Sequence, residues 1–266
     1  MTTPNIPHRM EVDLVVPGTP ADVWKAISTA EGCSAWMMPT TGTAEVGGEL
    51  IFNMGPGMDS PARITALEPE RRIVYEEQWA DLAEQPDANV TPLVTEFLIE
   101  AQAGGTCAVK VVTSAFGVGA DWENEFFSQM SEGWASMIDN LRVYLTRFPG
   151  QHVTPMWISA AFPVSQSDAI EAVRGAFGFA QAGDTFVARD AKGTVDRSIG
   201  EGFFLQFDAP VEGFATVFSY PQPEGSAVAM QGHLFSPDAA DYVAREQSAW
   251  QAWLDEVAAQ TGAAAH

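Results

Sequence analysis

At Asp121 the apolar period of this chain changes. Upstream it is two, the repeat of a strand. From Asp121 onward it is helical, and Trp122, Phe126, Met130, Trp134, Ile138, Leu141 and Leu145 fall on one stripe before Pro149-Gly150 stops the helix. A helix with so long an apolar stripe must bury it, and the strands before it offer the surface. The order is strand, helix, a run of strands, long helix. A sheet that curls around one helix buries both apolar faces most economically, which predicts an α+β fold.

The upstream elements fit that frame. "RMEVDLVVPG" alternates Met10, Val12, Leu14 and Val16 with polar residues, a strand. Thr19 is a good N-cap, Pro20 suits a first helical turn, and Val23, Trp24 and Ile27 give the helix one apolar face. "GGELIFNMG" opens on paired glycines and alternates Leu50, Phe52 and Met54. "PARITALEP" and "RRIVYEEQW" read as the next strands, the latter presenting Ile73, Tyr75 and Trp79 on one side, and residues 81–92 read as a loop. "LVTEFLIEAQ" and "GTCAVKVVTSAF" are two further strands turned by "AGG".

The second half repeats this order in shorter form. "MWISAAFPV" is a strand, "SQSDAIEAVRGAF" a capped helix, and strands follow around Thr185–Ala188, Val195–Ile199, Phe203–Phe207, Phe214–Ser219 and Ala227–Leu234. A last helix runs from Pro237 to about Ala259. Its "AWQAWLDEV" answers "GWASMIDNL" of the first half: Trp250 matches Trp134, Leu254 matches Ile138 and Asp255 matches Asp139. This is read as a tandem duplication, with domains at residues 1–150 and 151–266.

Composition narrows the functional classes. The 266 residues are 46% hydrophobic and carry a net charge of −22, spread over both halves. Such a field repels phosphate backbones, so neither nucleic acid nor an anionic membrane is an expected partner. The N-terminus shows no signal-peptide pattern and no apolar run is long enough to span a bilayer, so a cytoplasmic location is expected. The only cysteines, Cys33 and Cys107, make no disulfide framework and read as small core or loop residues.

The succession "PADVWKAISTAEGCSAWMMP", "GGELIF", "ITALEPERRIVYEEQW", "GTCAVKVVTSAF" and a late Gly-Trp resembles the SRPBCC or START-like superfamily, in the branch of homologues of the activator of the heat-shock-protein-90 ATPase. The resemblance covers residues 8 to 148. It implies a helix-grip fold: a curved antiparallel sheet wrapped around a long C-terminal helix, with a cavity between them and, here, an abbreviated second copy. This sequence departs from the branch at Met37, where a second aromatic residue is usual. The second half has neither the paired-glycine opening nor the Trp-x-x-Pro segment. The family name is not read as chaperone activity.

In such a fold the stretch "EGCSAWMMPTTG", Glu31 to Gly42, reads as a loop at the cavity rim. Bulky Trp36, Met37 and Met38 would cap the mouth while Pro39 limits backbone drift. The expected ligand-binding residues are Trp36, Met38, Phe52, Met54, Tyr75, Trp79, Phe97, Phe126, Met130 and Trp134, with Ile64 and Val111 also facing inward. The implied partner is a small hydrophobic molecule, and the two halves would form an intramolecular pseudo-dimer in a monomeric chain.

Catalytic machinery is sparse. His8, His152, His233 and His266 stand apart from the cavity segments, and no cysteine–histidine spacing suits a metal; neither a metal nor a cofactor is expected. "GVGA" before the long helix lacks the lysine and hydroxyl residue of a phosphate loop. Asp121, Glu123 and Glu125 complement the helix dipole. If strand alternation is regular, one of Glu76 and Glu77 faces inward, and Glu96 is a further candidate. The sequence therefore favours ligand binding without catalysis. An enzyme of cyclase or hydrolase type, using an inward carboxylate or Tyr75, is the alternative, and a protein-interaction module with a wide apolar patch on the second half is another.

Overall fold

The computed structural model describes residues 5–55 and 57–264 and divides them into two units, Met1–Gln151 and His152–His266. In the first, β1 (Ile6–Pro17) is followed by α1 (Pro20–Ser28), α2 (Ala30–Ser34), β2 (Thr40–Gly42), β3 (Glu49–Asn53), β4 (Asp59–Glu68), β5 (Arg72–Glu77), α3 (Trp79–Leu82), β6 (Leu93–Gln102), β7 (Thr106–Gly117) and α4 (Asp121–Arg147). Seven antiparallel strands form one sheet in the order β1-β7-β6-β5-β4-β3-β2. The first strand thus closes on the last, and α4 packs against β1.

Local chemistry sets these elements. The Thr19 hydroxyl accepts from the amide of Asp22 while the Asp22 carboxylate accepts from the amide of Thr19, a capping box with Pro20 in the first turn. In β1, His8, Met10 and Val16 are buried and their neighbours Arg9, Glu11 and Val15 exposed, the period-two pattern of a half-solvated strand. The β6–β7 turn places Gly104 and Gly105 at φ 81° and 75°, where a side chain is strained.

The second unit comprises β8 (Thr154–Phe162), α5 (Gln166–Phe177), β9 (Thr185–Ala188), β10 (Ala191–Ile199), β11 (Gly202–Ala209), β12 (Gly213–Gln222), β13 (Gly225–Leu234) and α6 (Ala239–Ala264). Its six strands run β8-β13-β12-β11-β10-β9, the same closure of first strand on last, with α6 against β8. Each unit is a curled antiparallel sheet with a long C-terminal helix, the α+β helix-grip arrangement. Among the described residues the second unit shows no counterparts of α2 and α3 and has six strands against seven.

Two local expectations are corrected. The stretch from Glu31 to Gly42 is not loop throughout: it contains most of α2 and all of β2. The side chain of Thr29 caps α2 through the amide of Gly32. Trp79 is not on the strand of Tyr75. Strand β5 ends at Glu77, and Trp79 begins the four-residue helix α3. Of the four histidines, His266 lies outside the described residues.

Candidate functional site: a cavity under the long helix of the first unit

Between the sheet of the first unit and α4 lies a cavity of about 380 Å³, within the range of small-molecule sites. Its wall is built from four directions. The segment after α2 supplies Met37 and Met38. The sheet supplies Phe52, Tyr75, Glu77, Leu93 and Thr95, with Met54 just past β3. Helix α3 supplies Leu82. Helix α4 supplies Phe126, Gln129, Met130, Gly133, Trp134 and Met137.

On α4 the wall includes Gly133, which is exposed, and a Cβ added there would meet nothing within 4 Å. Methionine forms much of the rest, and its flexible thioether fits irregular shapes. Aromatic rings set the back wall: Phe52 stands 5.5 Å from Tyr75, and Trp134 5.6 Å from Phe97, between ring centroids.

Met38, Phe52, Met54, Tyr75, Phe126, Met130 and Trp134 of the expected set line the cavity. Trp36, Trp79 and Phe97 stand behind it. Trp36 is fully buried, donates its indole N–H to the Ala26 carbonyl at 2.9 Å and meets the edge of Phe97. It anchors the segment that carries Met37 and Met38. Trp79 is enclosed by Leu93, Ala115 and Phe127 and donates to the Thr91 carbonyl at 2.8 Å. Ile64 and Val111 are buried but not on the wall. Sequence reasoning missed Met137, Gln129, Gly133, Leu82, Leu93 and Thr95 as wall residues. The helical spacing that gave Met130 and Trp134 also covers Gly133 and Met137; nothing in the sequence marks Leu82.

The polar side of the cavity is small. Among the described residues, Glu77 is the only acidic or basic side chain on the wall. Its Oε1 accepts from the Ser60 hydroxyl at 2.6 Å. Burial pushes its carboxyl up to about 7, partly opposed by that hydrogen bond. Beside it, burial and then the charge of Glu77 hold the Tyr75 phenol well above its usual range, and Tyr75 hydrogen-bonds Thr95. Thr95 in turn meets the Thr113 hydroxyl at 3.2 Å. Glu76 and Glu96 do not reach the cavity: Glu76 lies opposite Arg63 on β4, and Glu96 pairs with Arg72.

Glu123 has a different role from its helix neighbours Asp121 and Glu125. It is fully buried and accepts from the amides of Val118 and Gly119 at 3.0 and 2.9 Å and meets His8 Nε2 at 3.0 Å. Burial raises its carboxyl, and these donors, with the Ala120 amide, outweigh it, so the net shift is downward. The group ties the turn before α4 to β1.

In the second unit, the space beside Trp250 and Tyr242 is about 10 Å³, too small for more than about one water. Phe177, Phe179, Phe186, Phe203 and Trp250 fill the interior, with Trp253 packed against them. Phe177 lies 5.0 Å from Trp253 and 6.3 Å from Trp250. No group of histidine, cysteine, aspartate and glutamate that could hold a metal occurs among the described residues, and no helix there is long and apolar enough to cross a membrane.

The family described as "Activator of Hsp90 ATPase homolog 1-like protein" matches residues 17–146. No curated protein matches the chain. Among solved structures, the chain is similar to the Aha1 dimer from Colwellia psychrerythraea, at 16% identity over 52% of this chain and 96% of that one, with a TM-score of 0.43. It is similar to protein MLL2253 from Mesorhizobium loti at 17% identity over 53% and 98%, with a TM-score of 0.44. It is similar to the di-domain ARO/CYC BexL from the BE-7585A biosynthetic pathway at 12% identity over 94% and 98%, with a TM-score of 0.44.

Proposed function

We propose, from the premise that this chain belongs through residues 17–146 to the Activator of Hsp90 ATPase homolog 1-like family, that its first unit binds a small, largely apolar molecule between sheet and α4. The observation that carries this reading is the contrast between the two units. The first unit holds an open cavity of about 380 Å³, and the space beside Trp250 and Tyr242 in the second is about 10 Å³. The wall of the open cavity leaves apolar side chains facing water, which is unfavourable. Burying an apolar ligand there returns on the order of 25 cal/mol for each Å² removed from water. The filled second unit is assigned a supporting role as a built-in partner. The interaction-module alternative called for a wide exposed apolar patch on the second half; among the described residues the large exposed hydrophobic there is Val187.

The test is titration of the full chain with N-phenyl-1-naphthylamine, a neutral apolar dye. Saturable binding of one dye per chain, abolished by Gly133→Leu, supports the reading. Absence of saturable binding refutes it.

A second reading rests on Glu77, because a carboxyl titrating near neutrality beside a phenol suits general acid–base chemistry. Here the unit is an enzyme of cyclase or hydrolase type. Native mass spectrometry of freshly purified protein separates the two. An enzyme carries a different small molecule in Glu77→Gln than in the wild type, because substrate accumulates; a binder carries the same one or none.

A further inference from the structure

We infer that the ligand of this cavity is an amphipathic amine, with an apolar body against the methionine and aromatic wall and a cationic nitrogen on the carboxylate of Glu77. The inference rests on the binding reading above and adds the ligand's polar end.

The argument starts from the hydrogen-bond capacity of the carboxylate. An ionised carboxylate accepts about four hydrogen bonds. Glu77 receives one side-chain hydrogen bond among the described residues, from Ser60. The other residues of the wall bring no positive charge: Thr95 from β6, Gln129 from α4 and Leu82 from α3 are uncharged, and Tyr75 on its own strand is the other titratable group there. An anionic ligand would meet a like charge. A plain hydrocarbon would leave the free oxygen unpaired in an apolar space, a recognised cost. A protonated amine supplies both the missing donors and the missing charge in one contact. The chain's net charge of −22 further draws cations toward it.

This arrangement fixes a proton balance. The amine favours the ionised form of Glu77, so below neutrality its binding expels the carboxyl proton to solvent and is weakened. The ligand already carries its own proton, and no bond to carbon changes. A neutral hydroxylated ligand can accept from the protonated acid or donate to the carboxylate, so its binding depends little on pH.

The experiment compares 1-naphthylmethylamine with its neutral isostere 1-naphthylmethanol, each titrated into the full chain at about pH 6 and about pH 8, on either side of the Glu77 carboxyl. At the higher pH the amine is expected to bind about ten-fold tighter or more, the scale of a charge-assisted hydrogen bond. The advantage shrinks at the lower pH, and Glu77→Gln brings the amine down to the alcohol. Near-ultraviolet circular dichroism of the variant confirms its packing. Alcohol binding without an amine advantage, or an advantage that survives Glu77→Gln, overturns the amine inference and leaves the cavity reading standing. Failure of both probes and of the neutral dye overturns the cavity reading itself.

Discussion

Ser60 on β4 donates its hydroxyl to Oε1 of Glu77 on β5 at 2.6 Å, across the floor of a cavity that holds no other ionisable carboxyl among the described residues. Burial raises that carboxyl from 4.5 to about 7, while the serine pulls it down. The folded protein therefore keeps a proton that the unfolded chain has already released between these values. The stability linked to Glu77 is complete below pH 4.5 and is lost as pH rises to about 7, a change on the order of 3 kcal/mol. Urea unfolding of Glu77→Gln beside the wild type should show the variant gaining about that much relative stability between the two limits. A gap that does not vary with pH would contradict the placement. Ser60→Ala should move the carboxyl higher still, as read by carbon-13 titration of the Glu77 side chain.

Gly133 sits in the interior of α4 with open space where its side chain would be. Glycine there costs the helix about 0.8–1 kcal/mol relative to alanine. Gly133→Ala is expected to raise stability by about that amount, measured by chemical denaturation, while narrowing the cavity. Gly133→Leu should fill it and exclude the dye. Loss of stability in Gly133→Ala would show that the space is already occupied by protein.

The Glu123 carboxylate closes the turn that leads into α4. Its net shift is downward, so its stability contribution is present above pH 4.5 and is lost as pH falls through its lowered value. Glu123→Ala leaves the part-buried amides of Val118 and Gly119, and buried His8, without this acceptor, and a cost of about 1–3 kcal/mol is expected at neutral pH. Gly117→Ala should be comparably harmful, because its methyl would stand 2.1 Å from a Glu123 oxygen. A urea midpoint unchanged in both variants would refute this role.

Trp36 and Trp134 should separate stability from binding. Trp36 is behind the wall and fully buried, so Trp36→Ala is expected to cost about 3–5 kcal/mol of stability. Trp134 is on the wall, so Trp134→Ala should weaken the dye directly, by about ten-fold or more. Equal dye affinities for Trp134→Ala and the wild type would remove Trp134 from the site.

The architecture was legible wherever a period could be followed. Helix α4 announced itself through the stripe from Trp122 to Leu145, and β6 through Leu93, Thr95 and Phe97. Strand alternation placed one of Glu76 and Glu77 inward without choosing between them, and the structure puts Glu77 on the wall. Trp79 misled because the same parity extends to it, although the backbone leaves the sheet after Glu77. The extent of the wall was less readable. A cavity is a place where side chains fail to meet, and Gly133 contributes by what it lacks. Glu123 was unreadable for another reason: its partner His8 is 115 residues away in sequence.

Half of the chain's 10 methionines, Met37, Met38, Met54, Met130 and Met137, surround that one space. Peroxide converts a thioether into a polar sulfoxide that reductases can restore. Oxidative stress would therefore rewrite the solvent character of the chamber from oil-like to wet without altering a single backbone bond. The interior of the second unit, in which phenylalanine and tryptophan dominate, holds Met156 and Met230 and would change less.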